Sequence, residues 1–170
     1  MAYVTRRQLL AVGAAVPAIG AAGAAGLGWR WWDRPVADGL RALSADEHDF
    51  VQALAEAWLP PGGDPPLSGA QAELGRFFDE VVAAMTPGTA RELKLLLQVL
   101  DDATWATDAR AFRHLAVDRR TAVLDGWVHS SSWLLRNAVS GVLVLCGEGY
   151  AMHPDVVGLL RPHFRCGFGR

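Results

Sequence analysis

The segment LGRFFDEVVAAM, residues 74–85, carries the clearest amphipathic pattern in the chain. Its large apolar residues recur with the i, i+3, i+4 spacing of a single helix face over three turns. They are Leu74, Phe77, Phe78, Val81, Val82 and Met85. Ser68 precedes them and has a hydroxyl group that can cap a helix. The pattern predicts a helix that starts after Ser68 and buries this face.

Helical signals continue on both sides of this segment. Upstream, Ser44 and Glu47 form a capping box, in which a hydroxyl group and a carboxylate satisfy free backbone N–H groups at a helix start. Pro60 and Pro61 end that helix, because proline has no N–H to donate. Downstream, Thr86 followed by proline is typical of a helix N-terminus. Leucines at helical spacing then follow to residue 100.

The segment 133–146 is apolar around most of its circumference, which is typical of a central helix. The stretch Gly147–Tyr150 follows, and its two glycines predict that the helix ends there. Pro154 can start a last short helix. Because no segment alternates like a strand, we expect an all-α fold, a single small bundle of about five main helices after an N-terminal signal or anchor helix.

Composition divides the chain into four parts. We expect a signal or membrane anchor over 1–28, an aromatic and polar connector over 29–43, a helical domain over 44–160 and an irregular tail over 161–170. The third part is long enough for one domain with its own hydrophobic core.

The N-terminus resembles a twin-arginine translocation signal, which exports proteins that are already folded. The matching residues are Thr5, Arg6, Arg7, Leu9 and Leu10. Residues 8–28 carry no charge and, as a helix, reach roughly the 30 Å of a bilayer's hydrocarbon core. Ala22-Gly23-Ala24 offers a cleavage site, whereas the tryptophans that follow suit a membrane interface. A cleaved signal, an uncleaved anchor and an ordinary secretory signal therefore stay open, and each places the protein in the periplasm or on the outer face of the cytoplasmic membrane.

Catalytic and metal-binding motifs are absent from the sequence. It holds no G-x-S-x-G, no C-x-x-C and no H-E-x-x-H, and its histidines are dispersed. The acidic runs 46–49 and Asp101-Asp102 are predicted to be solvated rather than metal-binding, because consecutive helical residues point in different directions. We therefore expect no catalytic, cofactor-binding or metal-binding residue in this chain and no enzyme activity of its own.

The charge of the chain argues against a nucleic-acid partner, and its two cysteines allow two interpretations. The net charge is -2 and Lys94 is the only lysine, so the basic stripe that nucleic acid requires is missing. Cys146 and Cys166 are the only cysteines. Cys146 lies in an apolar run and is interpreted as a buried small hydrophobic residue, with a disulfide between the two as the alternative.

The body resembles the gluconate 2-dehydrogenase subunit 3 family, small helical subunits that accompany flavin-dependent dehydrogenases of the glucose-methanol-choline type. The resemblance covers about residues 43–160 and rests on the order of four stretches. These are LSADEHDFVQALAEAWLPP (43–61), AELGRFFDEVV (72–82), FRHLAVDRRTAVLDGW (112–127) and GYAMHPDVVGLL (149–160). The C-terminal RPHFRCGFGR departs from the glycine and tyrosine-proline ending common in that family.

The resemblance implies a non-catalytic subunit that binds a flavin-dependent dehydrogenase large subunit and escorts it, folded, to the twin-arginine translocase. FAD is expected in that partner and not in this chain. A cytochrome subunit is a further expected partner, and the N-terminus is expected to contact the membrane. The alternative is an exported or membrane-anchored helical scaffold or binding domain that is unrelated to a dehydrogenase.

Two features nominate a partner interface. The chain has seven tryptophans, and Trp105 lies outside the strongest core patterns, so its side chain is a candidate interface anchor. A proline-rich loop loses little conformational entropy on docking. Its candidate residues are Pro60, Pro61, Pro65 and Pro66, and Tyr150 is a further candidate.

Overall fold

A computed structural model describes residues 34–160 of the chain. This part is all-α, as predicted, with no strand in it. In chain order its elements are α1 (Ala45–Trp58), α2 (Leu74–Ala84), α3 (Pro87–Asp102), α4 (Trp105–Asp108), a 3-10 helix (Phe112–His114), α5 (Val117–Val128), α6 (Trp133–Met152) and α7 (Pro154–Leu160). The expected five main helices are α1, α2, α3, α5 and α6. The predicted signal or anchor and the tail 161–170 lie outside the described residues.

Helix α1 is the central element of the bundle. It packs against α2, α3, the 3-10 helix and α5. The predicted capping box starts it: the Glu47 N–H donates to Ser44 Oγ at 3.4 Å, and the Ser44 N–H donates to the Glu47 carboxylate at 2.8 Å. Its inward face is fully buried at Phe50, Val51 and Ala55. Packing on several sides explains why this short helix, and not α6, organises the core.

Aromatic rings connect α1 to the second half of the chain. The Phe50 ring meets the Phe112 ring edge to face at a centroid distance of 5.5 Å. Phe112 in turn stacks on Trp127 of α5 at 5.2 Å. Such pairs add to the free energy gained from burying the rings, so the 3-10 helix is held between α1 and α5.

Helix α2 begins later than the predicted Ser68 cap would place it. Ser68 instead opens a turn in which its backbone N–H and its hydroxyl group donate to Gln71 Oε1. The helix starts at Leu74, after Glu73 in the left-handed region at φ 47°. The Ser68 cap prediction was therefore wrong, because Glu73 in the left-handed conformation separates the turn that follows Ser68 from the first turn of α2.

The predicted phase of α2 is confirmed. Leu74, Phe78 and Val82 are buried, and Phe77 is partly buried and packs against the same core. Helix α3 starts as predicted, with Thr86 Oγ1 accepting the backbone N–H of residue 89 at 3.4 Å.

Helix α6 differs from its prediction in position and in length. Only four of its residues are buried, so it is peripheral and not central: Val139, Val142, Cys146 and Gly149. It also continues through Gly147–Tyr150 to Met152. Gly149 faces Phe77 of α2 and allows close packing there, Gly147 faces Trp58 of α1, and neither glycine ends the helix. Cys146 is buried, and burial raises the pKa of its thiol to about 12.

Two acidic residues that were predicted to be solvated are buried. Glu47 lies 3.4 Å from Lys94 Nζ of α3 and accepts a hydrogen bond from the side-chain amide of Gln98. Asp101 accepts the backbone N–H of Arg113 at 3.0 Å and pairs with its guanidinium group. Those predictions were wrong because the compensating groups come from elements distant in sequence.

The end of the predicted connector is part of the folded body. Leu43 is fully buried, and the backbone N–H groups of Arg41, Ala42 and Leu43 all donate to the Asp79 carboxylate at 2.8 Å. Burial by itself would raise the pKa of Asp79, but these three bonds and the Arg41 charge outweigh it and lower the pKa. A single carboxylate on α2 thus fixes the chain that enters α1.

Candidate interaction surface

The outward side of α6 is apolar and exposed. Four large apolar side chains on this helix are 60–71% exposed: Trp133, Leu134, Val144 and Met152. All exposed residues of α6 fall within about 120° of its circumference at 100° per residue. We call this set the outer face of α6: Trp133, Leu134, Asn137, Ser140, Gly141, Val144, Glu148, Ala151 and Met152. Its one charged residue is Glu148.

A groove adjoins this face where α1, α5 and α6 meet. It consists of two depressions of about 310 and 560 Å³ that share Trp58, Val128 and Leu143 in their walls. We call both together the apolar groove. Its remaining lining residues are Ala57, Thr121, Leu124, Asp125, Ser140, Val144, Gly147, Glu148 and Ala151. Asp125 and Glu148 are the charged members of this lining.

Trp58 forms the wall that both depressions share. Trp58 is the last residue of α1, and its side chain is 37% exposed. Gly147 of α6 lies opposite, and a Cβ atom there would stand 3.4 Å from Trp58 Cη2. A larger side chain at residue 147 would therefore fill the groove, and glycine keeps it open.

The structure brings the proline loop and Tyr150 together. The Tyr150 hydroxyl group donates to the backbone oxygen of Leu67 at 2.7 Å and lies 3.3 Å from that of Pro65. Burial and the Asp64 charge raise the pKa of this phenol. Three loop prolines are exposed and the fourth is half-buried: Pro60, Pro61 and Pro66, and Pro65. Tyr150 thus anchors the loop to α6, while most of the loop surface stays accessible.

Trp105 belongs to a different element from the loop. It begins the one-turn helix α4, and its side chain is 55% exposed, so it is available for contact as the sequence suggested. The proposed export residues Thr5, Arg6, Arg7, Leu9 and Leu10 lie outside the described residues.

A second, polar groove of about 270 Å³ lies beside α1. Its charges are largely paired within the chain: Arg120 contacts Glu56 at 2.8 Å, and Arg113 contacts Asp46 at 3.0 Å.

Within residues 34–160 no group of three or more His, Cys, Asp or Glu residues is placed to hold a metal ion. Nor does this part of the chain contain a helix long and apolar enough to cross a membrane.

Sequence reasoning nominated Trp105, Tyr150 and the loop but missed the outer face of α6. The signal was present, because 133–146 is apolar around most of its circumference. That pattern fits a helix covered by its own domain and equally a helix covered by a partner protein. Only the position of α6 at the edge of the bundle separates the two cases.

Comparisons of the chain with family models, with curated proteins and with solved structures gave no match.

Proposed function

We propose that this protein is a non-catalytic small subunit that binds a flavin-dependent dehydrogenase large subunit and escorts it, folded, through the twin-arginine pathway. The outer face of α6 is the observation that supports a role in binding another protein. Large exposed apolar side chains that share one face of a helix mark a candidate protein interface. The class of the partner rests on the resemblance of residues 43–160 to the gluconate 2-dehydrogenase subunit 3 family.

The dimensions of the outer face suit a large partner better than a small substrate. From Trp133 to Met152 it extends about 28 Å along the helix axis, and it is convex and open. Trp133 supplies the aromatic anchor that interfaces favour. A small molecule needs a concave site that encloses most of its surface, whereas a protein can cover a convex helix.

The N-terminus supplies the export role in this proposal. The arginine pair directs the folded complex to the twin-arginine translocase, and the uncharged run 8–28 contacts the membrane. The partner carries FAD and the chemistry, and a cytochrome subunit is a further partner in this proposal. The complex then works in the periplasm or on the outer face of the cytoplasmic membrane.

Purification of the tagged full-length chain from its own host at native expression level tests this proposal. We expect a large chain with flavin absorbance to accompany it. Leu134→Asp and Val144→Asp place a charge on the outer face, so each variant loses the large chain. Val99→Asp is the matched control, because Val99 is also an exposed apolar residue but lies on α3. All three positions are exposed, so melting temperatures of the purified variants should stay close to that of the parent.

Recovery of the chain without any flavin-containing protein would contradict the proposal, and so would dye-linked dehydrogenase activity of the chain alone. Trp105→Ala and a shortened 60–66 loop test the other nominated surfaces in the same assay. Unchanged recovery in both variants would exclude those surfaces from the interface.

A further inference from the structure

We propose that the apolar groove receives an amphipathic α-helix of the partner that carries arginine or lysine at the edges of its apolar face. This inference rests on the proposed function only in taking a protein partner as the occupant. It adds the chemistry by which that partner is recognised.

The walls of the groove call for apolar side chains. Trp58, Val128 and Leu143 line both depressions, and the exposed part of the Trp58 ring gains most from being covered. Along α6 the groove runs from Ser140 to Ala151, about 17 Å at 1.5 Å per residue. That length accommodates about three turns of a docked helix, whose apolar residues at i, i+3 or i+4 and i+7 point into the groove.

The acidic residues at the groove favour a partner helix whose flanking residues are positively charged. Asp125 on α5 and Glu148 on α6 stand on two different walls, and both are exposed carboxylates. Within the described residues Glu148 makes no ion pair, and Asp125 has His129 as its neighbour, with Nδ1 3.2 Å from Oδ1. Two carboxylates beside an apolar strip attract a helix with cationic edges and repel an anionic one.

The same charges argue against two other occupants. In a symmetric dimer the same patch meets itself, which would bring four carboxylates into one interface whose lining residues include no lysine or arginine. An anionic lipid surface would be repelled in the same way. A cationic helix satisfies both the apolar walls and the acidic edges.

Two synthetic helical peptides with identical leucine spacing serve as probes. One carries arginines beside its apolar face and the other carries glutamates at the same positions. We expect the full-length chain to bind the arginine peptide about fivefold more tightly, by fluorescence anisotropy of labelled peptide at low salt. The preference shrinks as salt is raised, because exposed charges are screened.

A charge reversal makes the test specific. In the double variant Asp125→Lys/Glu148→Lys we expect the preference to invert. The matched control is Glu80→Lys/Glu92→Lys, which changes net charge equally at two exposed positions on α2 and α3 and retains the preference for arginine. If the double variant does not fold, judged by its thermal transition, the single variant Glu148→Gln replaces it and is expected to reduce the preference by about half.

Three results would overturn the inference: equal affinity for both peptides, an unchanged preference after charge reversal, or self-association of the chain that Val144→Asp abolishes. Because the peptide assay needs no flavoprotein, its outcome is separate from that of the co-purification. A flavin-containing partner that is retained by the charge-reversed variant would reject this inference and leave the proposed function standing. A clear arginine preference without any flavin-containing partner would reject the proposed function and leave this inference standing.

Discussion

Gly149 of α6 lies against the ring of Phe77 of α2, so closely that a Cβ atom on residue 149 would stand 2.5 Å from Phe77 Cδ1. Carbon atoms do not approach that closely without displacement of the ring or the helix. Residue 149 is therefore glycine because α2 and α6 pack closely there. The helix itself continues to Met152.

This contact predicts opposite effects for two glycine-to-alanine changes in one helix. Gly149→Ala should lower the free energy of unfolding by about 1–3 kcal/mol, because the new methyl group forces the Phe77 ring to move. Gly141→Ala should raise it by about 0.5–1 kcal/mol, because nothing lies within 4 Å of a Cβ there and alanine favours the helix. Urea unfolding followed by circular dichroism measures both. A change of the same sign in both variants would contradict the packing described for Gly149.

The neighbouring phenylalanine gives a second prediction. Phe78 is fully buried, so Phe78→Ala should lower the free energy of unfolding by about 3–5 kcal/mol. Phe77 is only partly buried, so Phe77→Ala should lower the free energy of unfolding by a smaller amount. Denaturant titration of the two variants checks this order, and an equal or reversed loss would show that the phase of α2 is wrong.

Local sequence signals were enough to predict where α1 and α3 begin. Ser44 and Glu47 cap α1, and Thr86 caps α3, because each acts on backbone groups only three residues away. The phase of α2 also follows from local spacing. The end of α6 could not be predicted in this way, because the role of Gly149 is set by Phe77 on another helix.

Burial of the acidic residues also could not be predicted from local sequence signals. The local sequence predicts Glu47 to be a solvated first-turn residue. It is buried instead, because Lys94 and Gln98 of α3 compensate its charge. Asp101 similarly depends on Arg113. In the candidate interface, exposure of Trp105 follows from the absence of a local pattern around it, but the outer face of α6 requires knowledge of which helices surround it.

Acid sensitivity is a third prediction and concerns Asp79. Its pKa is lowered in the folded protein, so the ionised carboxylate stabilises the fold above the unfolded-state value of about 3.9. That contribution is lost as the pH falls below about 4 and through the lowered folded-state pKa. Asp79→Asn should therefore unfold with a free energy about 1–3 kcal/mol lower than the parent at pH 7.

Between pH 7 and pH 2 the stabilising contribution of the ionised Asp79 falls, because the pH drops below the unfolded-state value and toward or through the lowered folded-state pKa, so we expect the difference between the two proteins to shrink. Urea titrations at the two pH values measure it. A gap of equal size at pH 7 and pH 2 would mean that the charge of Asp79 does not hold Arg41, Ala42 and Leu43. Glu80→Gln, which changes an exposed carboxylate one residue away, is the control and should leave the pH dependence unchanged.

The last prediction concerns export and the residues Arg6 and Arg7. Changing both to lysine keeps two positive charges but replaces two planar guanidinium groups by compact ammonium groups, which do not offer the same hydrogen-bonding geometry. A twin-arginine signal should then fail, and a general secretory signal should not. We expect the double lysine variant, and with it the flavin-containing partner, to stay in the cytoplasm, as measured by cell fractionation and immunoblotting.

The matched control is the double variant Arg30→Lys/Arg34→Lys, which makes the same replacement outside the motif and should be exported normally. Normal export of both variants would identify an ordinary secretory signal. Such a signal acts on unfolded chains, so a folded flavoprotein could not travel with this subunit. Retention of the Arg6 and Arg7 variant together with export of the control would support a twin-arginine signal, and retention of a flavin-containing protein with that variant would support its transport in complex with this chain.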